Sequence, residues 1–219
     1  MISEYLRIFC LSIIDDLNEK HKGIAPRSEE LKRISKDYSE TDFAFRIGYF
    51  FRERVTFEQK DSKKESKDVL HGHNDVHVPS KDFKIEVKFA KSHKSEGGKD
   101  DNKLPWDQVI GDFCWLEQEI LHRNKEKRAF VIGWFNTAEL NKLIQIGEGG
   151  GRHPTVGSDK GLFFPFIDFD TESRRTDTVK INYEKTGKKL KLEKPDFQGE
   201  MNCIFLGSQK DLFHIALYY

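Results

Sequence analysis

The chain has 219 residues, of which 37% are hydrophobic and 34% are charged, with 37 basic residues balanced by 37 acidic ones. This length and apolar fraction suit one domain that buries a core. The balanced charge excludes a general attraction for nucleic acid, so any such contact must come from local patches. No apolar run is long enough to cross a bilayer, the N-terminal residues do not read as a signal peptide, and the three cysteines have no paired spacing. We therefore expect a cytoplasmic protein whose cysteines are reduced and which does not bind membranes.

The N-terminal part predicts three helices followed by a strand. Apolar residues at spacings of three and four predict the first helix. Ser28 is suited to cap the second helix, and Ser39 with Asp42 has the spacing of a capping box at the start of the third. The predicted elements are a helix over residues 2–20, a short helix after residue 28, a helix over 39–53 and a strand over 55–59.

Residues 73–89 form the segment around which the rest of the chain is organised. Alternating apolar side chains predict a strand on each side of a turn that contains proline, so the segment is expected to be a β-hairpin. In its second strand the apolar residues face one side of the sheet, whereas Lys84, Glu86 and Lys88 face the other. The turn brings Asp75 close to these charged side chains.

Beyond the hairpin the pattern predicts a loop, a helix and a buried strand, followed by a β-rich C-terminal quarter. Pro105 is expected in the first turn of the helix. A nearly continuous apolar run predicts a strand that is covered on both faces. The predicted elements are a loop over 91–103, a helix over 105–122, a strand over 129–135, a helix over 138–146, and strands over 162–169, 178–183, 190–192, 202–206 and 212–217.

The charged face of the hairpin has the residue types that metal-dependent phosphodiester hydrolysis requires. Asp75 and Glu86 can supply carboxylates to Mg²⁺ from neighbouring strands, aided by the backbone carbonyl of Val87. Lys88 lies on the same face as Glu86, so it can orient or help deprotonate the attacking water, or stabilise charge on the phosphate. Asp82 also precedes Glu86, but it lies within the turn, so Asp75 is preferred.

Asp75 followed by Glu86-Val87-Lys88 resembles the Asp…Glu-x-Lys signature of the PD-(D/E)XK nuclease superfamily, which includes many restriction endonucleases. The resemblance implies an α/β, restriction-endonuclease-like fold, with a mixed four-stranded sheet flanked by helices in the order α-β-β-β-α-β. It spans about residues 39–135 of a single domain covering 1–219. The remainder is then a pair of N-terminal helices over 1–38 and a β-rich elaboration over 136–219.

The same resemblance implies a function for these residues. Asp75, Glu86 and Lys88 would be catalytic, the cofactor would be Mg²⁺ with Mn²⁺ as an alternative, and the substrate would be DNA. Restriction of foreign DNA is the first biological role that it suggests, with repair and junction resolution as rivals. Members often add a glutamate from the helix before the sheet, for which Glu40 is the candidate and Glu53 the second choice. Alternatively, Glu40 is only a first-turn acid favoured by the helix dipole.

Substrate contacts and assembly are also implied by the family. Some members place a glutamine or lysine on the following helix, which makes Gln108 a candidate, although a solvated helix residue is an equal alternative. Lys84 and Lys91 are the other candidate substrate-binding residues, and the lysine-rich segments over 60–67, after 89 and around 184–191 are candidate DNA-contacting surfaces. Many members dimerise to cut both strands, which leaves a homodimer open.

A zinc hydrolase is the second function to consider. His71, His73 and His77 alternate with Asp75 in a pattern close to the His-x-His-x-Asp-His motif of metallo-β-lactamase-like hydrolases, and histidine suits zinc. That motif needs its last histidine directly after the aspartate, whereas Val76 intervenes here. Exposed strand histidines beside an acidic site are the preferred interpretation.

The third function involves no chemistry at all. Charges that alternate along a strand are common on solvated sheet faces, where a pair such as Glu86 with Lys84 or Lys88 contributes only about 0–1 kcal/mol. The chain would then be a non-catalytic module that binds nucleic acid or protein.

Overall fold

The structure is a computed structural model that describes part of the chain. Only the backbone is described at residues 56–60, 73–74, 104–105, 144–145, 178–182 and 200–201. The described residues are 1–51, 56–60, 73–91, 104–105, 109, 112–113, 115–117, 119–120, 126–138, 143–145, 164, 178–182 and 200–219.

Helices precede and follow the central hairpin. They are α1 (Ile2–Lys20), α2 (Glu29–Ile34), α3 (Glu40–Tyr49) and α4, whose described positions between 109 and 120 are helical. The predicted caps are confirmed, because the Ser28 side chain accepts the N–H of Leu31, and Ser39 and Asp42 form a capping box at the start of α3. Single 3-10 turns cover Ser35–Asp37 and Pro79–Lys81.

The described strands are β1 (Thr56–Lys60), β2 (His73–Val78), β3 (Phe83–Ala90), β4 (Leu104–Pro105), β5 (Arg128–Phe135), β6 (Ile144–Gln145), β7 (Thr178–Asn182), β8 (Glu200–Leu206) and β9 (Phe213–Tyr218). Seven of them form one mixed sheet in the order β1-β2-β3-β5-β9-β8-β7. The β3 and β5 strands are parallel, and the other neighbours are antiparallel. In the chain, α4 lies between these two parallel strands, as a crossover connection requires. A second, two-stranded sheet pairs β4 with β6.

The sheet buries a core on each face. On one face, α1 and α3 pack against the apolar residues of the hairpin, including Phe83, Ile85, Val87 and Phe89. On the other face, α4 packs its apolar stripe against β5 and β9. The charged residues of β3 therefore lie beneath α4 rather than against solvent. The apolar stripe of α4 and its partners include Val109, Phe113, Leu116, Phe130, Trp134 and Tyr218.

The predicted fold class is confirmed at the level of an α/β protein with a mixed sheet flanked by helices. The hairpin, the strand at 129–135 and the pairing of the two last strands are also confirmed. The predicted C-terminal strands belong to the central sheet, since β9 pairs with β5.

Three sequence predictions are wrong in part. Pro105 lies in β4 and not in the first turn of a helix, because it pairs with Gln145 of β6. Of the helix predicted over 138–146, Leu143 is helical, but residues 144–145 lie in β6. Phe164 lies in no strand, although one was predicted over 162–169. The other residues of that prediction and the strand over 190–192 lie outside the described residues.

The expectations about membrane spans and cysteines can be compared with the described residues. None of their helices has both the length and the apolar character needed to cross a membrane. Cys10 and Cys203 are buried, and burial raises the pKa of the Cys10 thiol to about 12. Cys10 is therefore a packing residue of α1, because only the thiolate is reactive.

Candidate active site

The candidate site lies where β2 and β3 separate. Their paired positions run from Val78 opposite Phe83 to Val76 opposite Ile85. Beyond these pairs, the N–H of Val87 donates to Asp75 Oδ2 at 2.7 Å. Further along β3, the N–H of Phe89 donates to Glu40 Oε2 at 3.1 Å, where Glu40 is the first residue of α3. Two side-chain carboxylates thus accept the backbone donors of β3 at the point where the strands diverge.

Lys88 lies at the centre of a carboxylate cluster. Its Nζ donates to Glu86 Oε1 at 3.0 Å and to the backbone carbonyl of Val87 at 3.3 Å. Glu40 Oε1 is 3.7 Å and Asp112 Oδ2 is 3.6 Å from the same nitrogen. The Lys88 side chain is only 12% exposed. We call Glu40, Asp75, Glu86, Asp112 and Lys88 the carboxylate cluster.

Asp112 is the member of this cluster that the sequence analysis missed. It lies on α4, three residues after Val109 and four before Leu116, both of which are buried in the apolar stripe of that helix. An acidic residue on an apolar helical stripe is costly to bury without a partner, so its position was a usable signal. It could not show that α4 would cross above Lys88.

Burial and mutual repulsion favour the protonated forms of the carboxyl groups. Burial raises the pKa of Glu86 to about 9 and that of Asp112 to about 7, although Lys88 acts in the opposite direction. Burial also raises the pKa of Asp75, against the lowering effects of Lys88 and of the Val87 N–H. The cluster is therefore short of positive charge at neutral pH.

Lys88 is held as a cation. Burial lowers its pKa, but Asp112, Glu40, Glu86 and Asp75 together outweigh burial and raise the pKa above its ordinary value. An ammonium group has no lone pair with which to accept a proton. This arrangement favours an electrostatic or water-orienting role for Lys88 over deprotonation of a water.

The donors in the cluster fit a hard divalent cation. All are oxygens, and Glu86 Oε2 and Asp112 Oδ2 are buried without a hydrogen-bond partner in the described part of the chain. Such atoms are expensive to bury unless a ligand satisfies them. Within the same residues, no group of three or more His, Cys, Asp or Glu side chains already encloses a metal position. The Lys88 ammonium lies among the carboxylates instead.

The other predicted site residues are spread around the cluster or lie outside the described residues. Lys84, on the same face of β3 as Glu86, is only 9% exposed. Lys91 follows the end of β3 and is partly exposed. Asp82 lies in the turn, where its Oδ1 is 3.4 Å from a guanidinium nitrogen of Arg128, so it does not join the cluster. The residues outside the described part are Gln108, Glu53 and the lysine-rich segments over 61–67, 92–103 and 184–191.

The structure bears on the solvated-face interpretation and on the zinc-site interpretation to different extents. The solvated-face interpretation is wrong, because Glu86 is only 3% exposed and α4 covers this face of β3. Of the three histidines considered for zinc, only the side chain of His77 is described, and it is partly buried on β2.

Known proteins offer no guide to this arrangement. No protein-family model, curated protein or solved structure matches the chain. The function must therefore be inferred from the carboxylate cluster itself.

Proposed function

We propose that this chain is a Mg²⁺-dependent deoxyribonuclease of the PD-(D/E)XK type, with a restriction-endonuclease-like core. The observation that supports it best is the convergence of Glu86, Asp112 and Glu40 on Lys88, with Asp75 hydrogen-bonded to the intervening residue of β3. Apart from the two-residue strand β4, which lies between β3 and α4, the order α3-β1-β2-β3-α4-β5 is also the order that the resemblance implies.

Asp75 and Glu86 would hold the cation, together with the backbone carbonyl of Val87. These oxygens come from two neighbouring strands of the sheet, so binding requires side chains rather than the backbone to move. A bound Mg²⁺ would neutralise charge on the scissile phosphate and lower the pKa of a coordinated water. Mn²⁺ has similar ligand preferences and is expected to replace it.

Lys88 and Glu40 would serve the reaction without holding the cation. As a buried ammonium, Lys88 stabilises negative charge that develops on the phosphate and orients the attacking water. Glu40 connects the start of α3 to both Lys88 and the backbone of Phe89, so it positions the Lys88 side chain relative to α3. Its contacts go beyond those of a first-turn acid that only complements the helix dipole.

The direct test is cleavage of plasmid and linear DNA in Mg²⁺, in Mn²⁺ and in EDTA. We expect wild-type cleavage that requires the metal, and a loss of about 10²-fold or more for Lys88→Met. Lys22→Met is the matched control, because Lys22 is 76% exposed at the end of α1. Glu86→Gln should abolish cleavage, and Glu19→Gln on α1 is its exposed control.

Each contrary result would lead to a different conclusion about the function. Equal cleavage by Lys88→Met and the wild type would remove Lys88 from the mechanism and indicate a contaminating nuclease. DNA binding without cleavage in any divalent metal would indicate a non-catalytic module. Stoichiometric zinc in the purified protein, lost on His73→Ala, would favour a zinc hydrolase.

A further inference from the structure

Two of the carboxylate neighbours of Lys88, Glu86 and Asp112, lie at unequal distances from its ammonium group. Glu86 Oε1 accepts a hydrogen bond from its ammonium at 3.0 Å. Asp112 Oδ2 lies at 3.6 Å, which is close enough for an ion pair but too long for a hydrogen bond. That Asp112 oxygen is also buried without a hydrogen-bond partner among the described residues. A shift of less than about 1 Å would make Asp112 a further hydrogen-bond acceptor for Lys88.

We propose that Asp112 is the residue that receives Lys88 when Glu86 turns to a bound divalent cation. In the metal-free arrangement, Lys88 donates a hydrogen bond to Glu86. Once the carboxylate of Glu86 is shared with a cation, Lys88 loses its acceptor at 3.0 Å and faces a like charge nearby. Asp112 then holds the ammonium within the site, hydrogen-bonded and away from the cation. This inference rests on the proposed metal site. It adds the means by which the Lys88 ammonium leaves Glu86 when a divalent cation binds there.

Glu40 is less suited to receive Lys88. Its Oε2 already accepts the N–H of Phe89 at 3.1 Å, and its Oε1 is 3.7 Å from the ammonium. The Glu40 side chain is also 40% exposed, so water competes for it. Asp112 is buried on the face of α4 that packs against the sheet, where a charge-assisted hydrogen bond is stronger. Asp112 is therefore a positioning residue that acts through Lys88.

A double-mutant cycle on Mn²⁺ affinity tests this role without measuring cleavage. Calorimetry on the full chain compares the wild type with Asp112→Asn, Lys88→Met and the double variant. We expect Asp112→Asn alone to weaken Mn²⁺ binding about 10- to 100-fold, because Lys88 then stays on Glu86 and competes with the metal. In the Lys88→Met background the same substitution should change affinity about twofold or less.

The cycle separates positioning from direct ligation. If Asp112 were itself a ligand, Asp112→Asn would weaken Mn²⁺ binding equally with and without Lys88, and our proposal would be overturned. Glu117→Gln is the control for removing a buried carboxyl from α4, and it should leave the affinity unchanged. Asp112→Glu should recover most of the wild-type affinity.

A second measurement follows the Lys88 amine directly, by amine acetylation and mass spectrometry. In the wild type, Lys88 should stay protected both in EDTA and in Mn²⁺. The Asp112→Asn variant must first show cooperative unfolding. In this variant, adding Mn²⁺ should speed the acetylation of Lys88 severalfold, and an unchanged rate would count against the transfer.

Failure of the wild type to bind Mn²⁺ would overturn the proposed metal site and the transfer with it. Normal binding with an additive cycle would overturn the transfer alone.

Discussion

The Asp75 carboxylate accepts the backbone N–H of Val87 at 2.7 Å, just beyond the last paired positions of β2 and β3. A side chain thus replaces the carbonyl that a neighbouring strand would otherwise offer. The residue proposed to bind the metal also satisfies a buried donor of the sheet. Stability and metal binding at Asp75 can therefore be separated by the choice of substitution.

We expect Asp75→Asn and Asp75→Ala to differ in stability but not in metal binding. The asparagine oxygen can still accept the Val87 N–H, whereas alanine leaves that donor unsatisfied, which costs about 1–3 kcal/mol. Both variants lose the carboxylate and should lose Mn²⁺ affinity. Urea unfolding in EDTA and Mn²⁺ titration measure the two effects. If the two variants were equally destabilised, the hydrogen bond to Val87 would not be the stabilising interaction.

The metal-free protein should become less stable as the pH rises from 7 to 9. The pKa of Glu86 is raised from 4.5 to about 9, so in this range the folded state holds a proton that the unfolded chain has released. Stability then falls with increasing pH, by up to about 1.4 kcal/mol per pH unit. The pKa values of His21 and His214 are lowered by burial, so they act with the opposite sign and below about pH 6.5.

Urea unfolding in EDTA at pH 7, 8 and 9 measures this dependence. Glu86→Gln should reduce the slope most between pH 8 and 9, because the amide does not titrate. Nearer pH 7 a slope should remain, because burial raises the pKa of Asp112 and of Glu117 to about 7. A slope that is the same in the wild type and in Glu86→Gln would show that Glu86 does not hold its proton in the folded state.

Gly133 of β5 allows α3 to approach the sheet. A Cβ at this position would lie 2.5 Å from Phe43 Cε1 and 2.8 Å from Phe213 Cζ. We expect Gly133→Ala to destabilise the protein by about 1–3 kcal/mol through overpacking. It should also reduce cleavage, because Phe43 is three residues after Glu40 on α3 and its displacement moves Glu40 away from Lys88.

A compensating substitution tests the cause of this loss. Phe43→Leu removes the ring that the new methyl group would meet, so the double variant should recover part of the stability lost in Gly133→Ala. Thermal unfolding of the two single variants and the double variant gives the coupling. Strictly additive losses would mean that the contact with Phe43 is not responsible.

Local signals predicted the parts of the structure that depend on neighbours in sequence. Alternation of apolar residues fixes the faces of β3, and the capping box of Ser39 and Asp42 fixes the start of α3. These two features place Glu86 and Lys88 on one face and Glu40 at a helix end. The candidate site could be predicted to that extent from the sequence.

The remaining features depend on contacts between distant segments. Pro105 suits a helix start, but it pairs with Gln145, forty residues later in the chain, and no local pattern reports that pairing. From the sequence alone, the charged face of β3 has the pattern of a solvated surface, but in the structure α4 covers it. Asp112 enters the site only because the crossover between β3 and β5 carries α4 over Lys88. Tertiary packing, rather than propensity, decides all three.

Arg128 should be the strongest single ionic contribution to the fold. It is fully buried at the start of β5, where its Nε donates to Glu119 Oε2 of α4 at 2.7 Å and its guanidinium also binds the backbone carbonyl of Asp82 in the hairpin turn. Arg128→Met would remove the guanidinium that pairs with the buried Glu119 carboxylate, so we expect a loss of about 3–5 kcal/mol in urea unfolding at pH 7. Adding Glu119→Met should recover part of that loss, because two apolar side chains leave no buried charge without a partner.

Arg46→Met is the control, since Arg46 pairs with the exposed Asp16 and should contribute only about 0–1 kcal/mol. A loss for Arg128→Met no larger than this control would mean that the buried network does not hold the hairpin turn against α4.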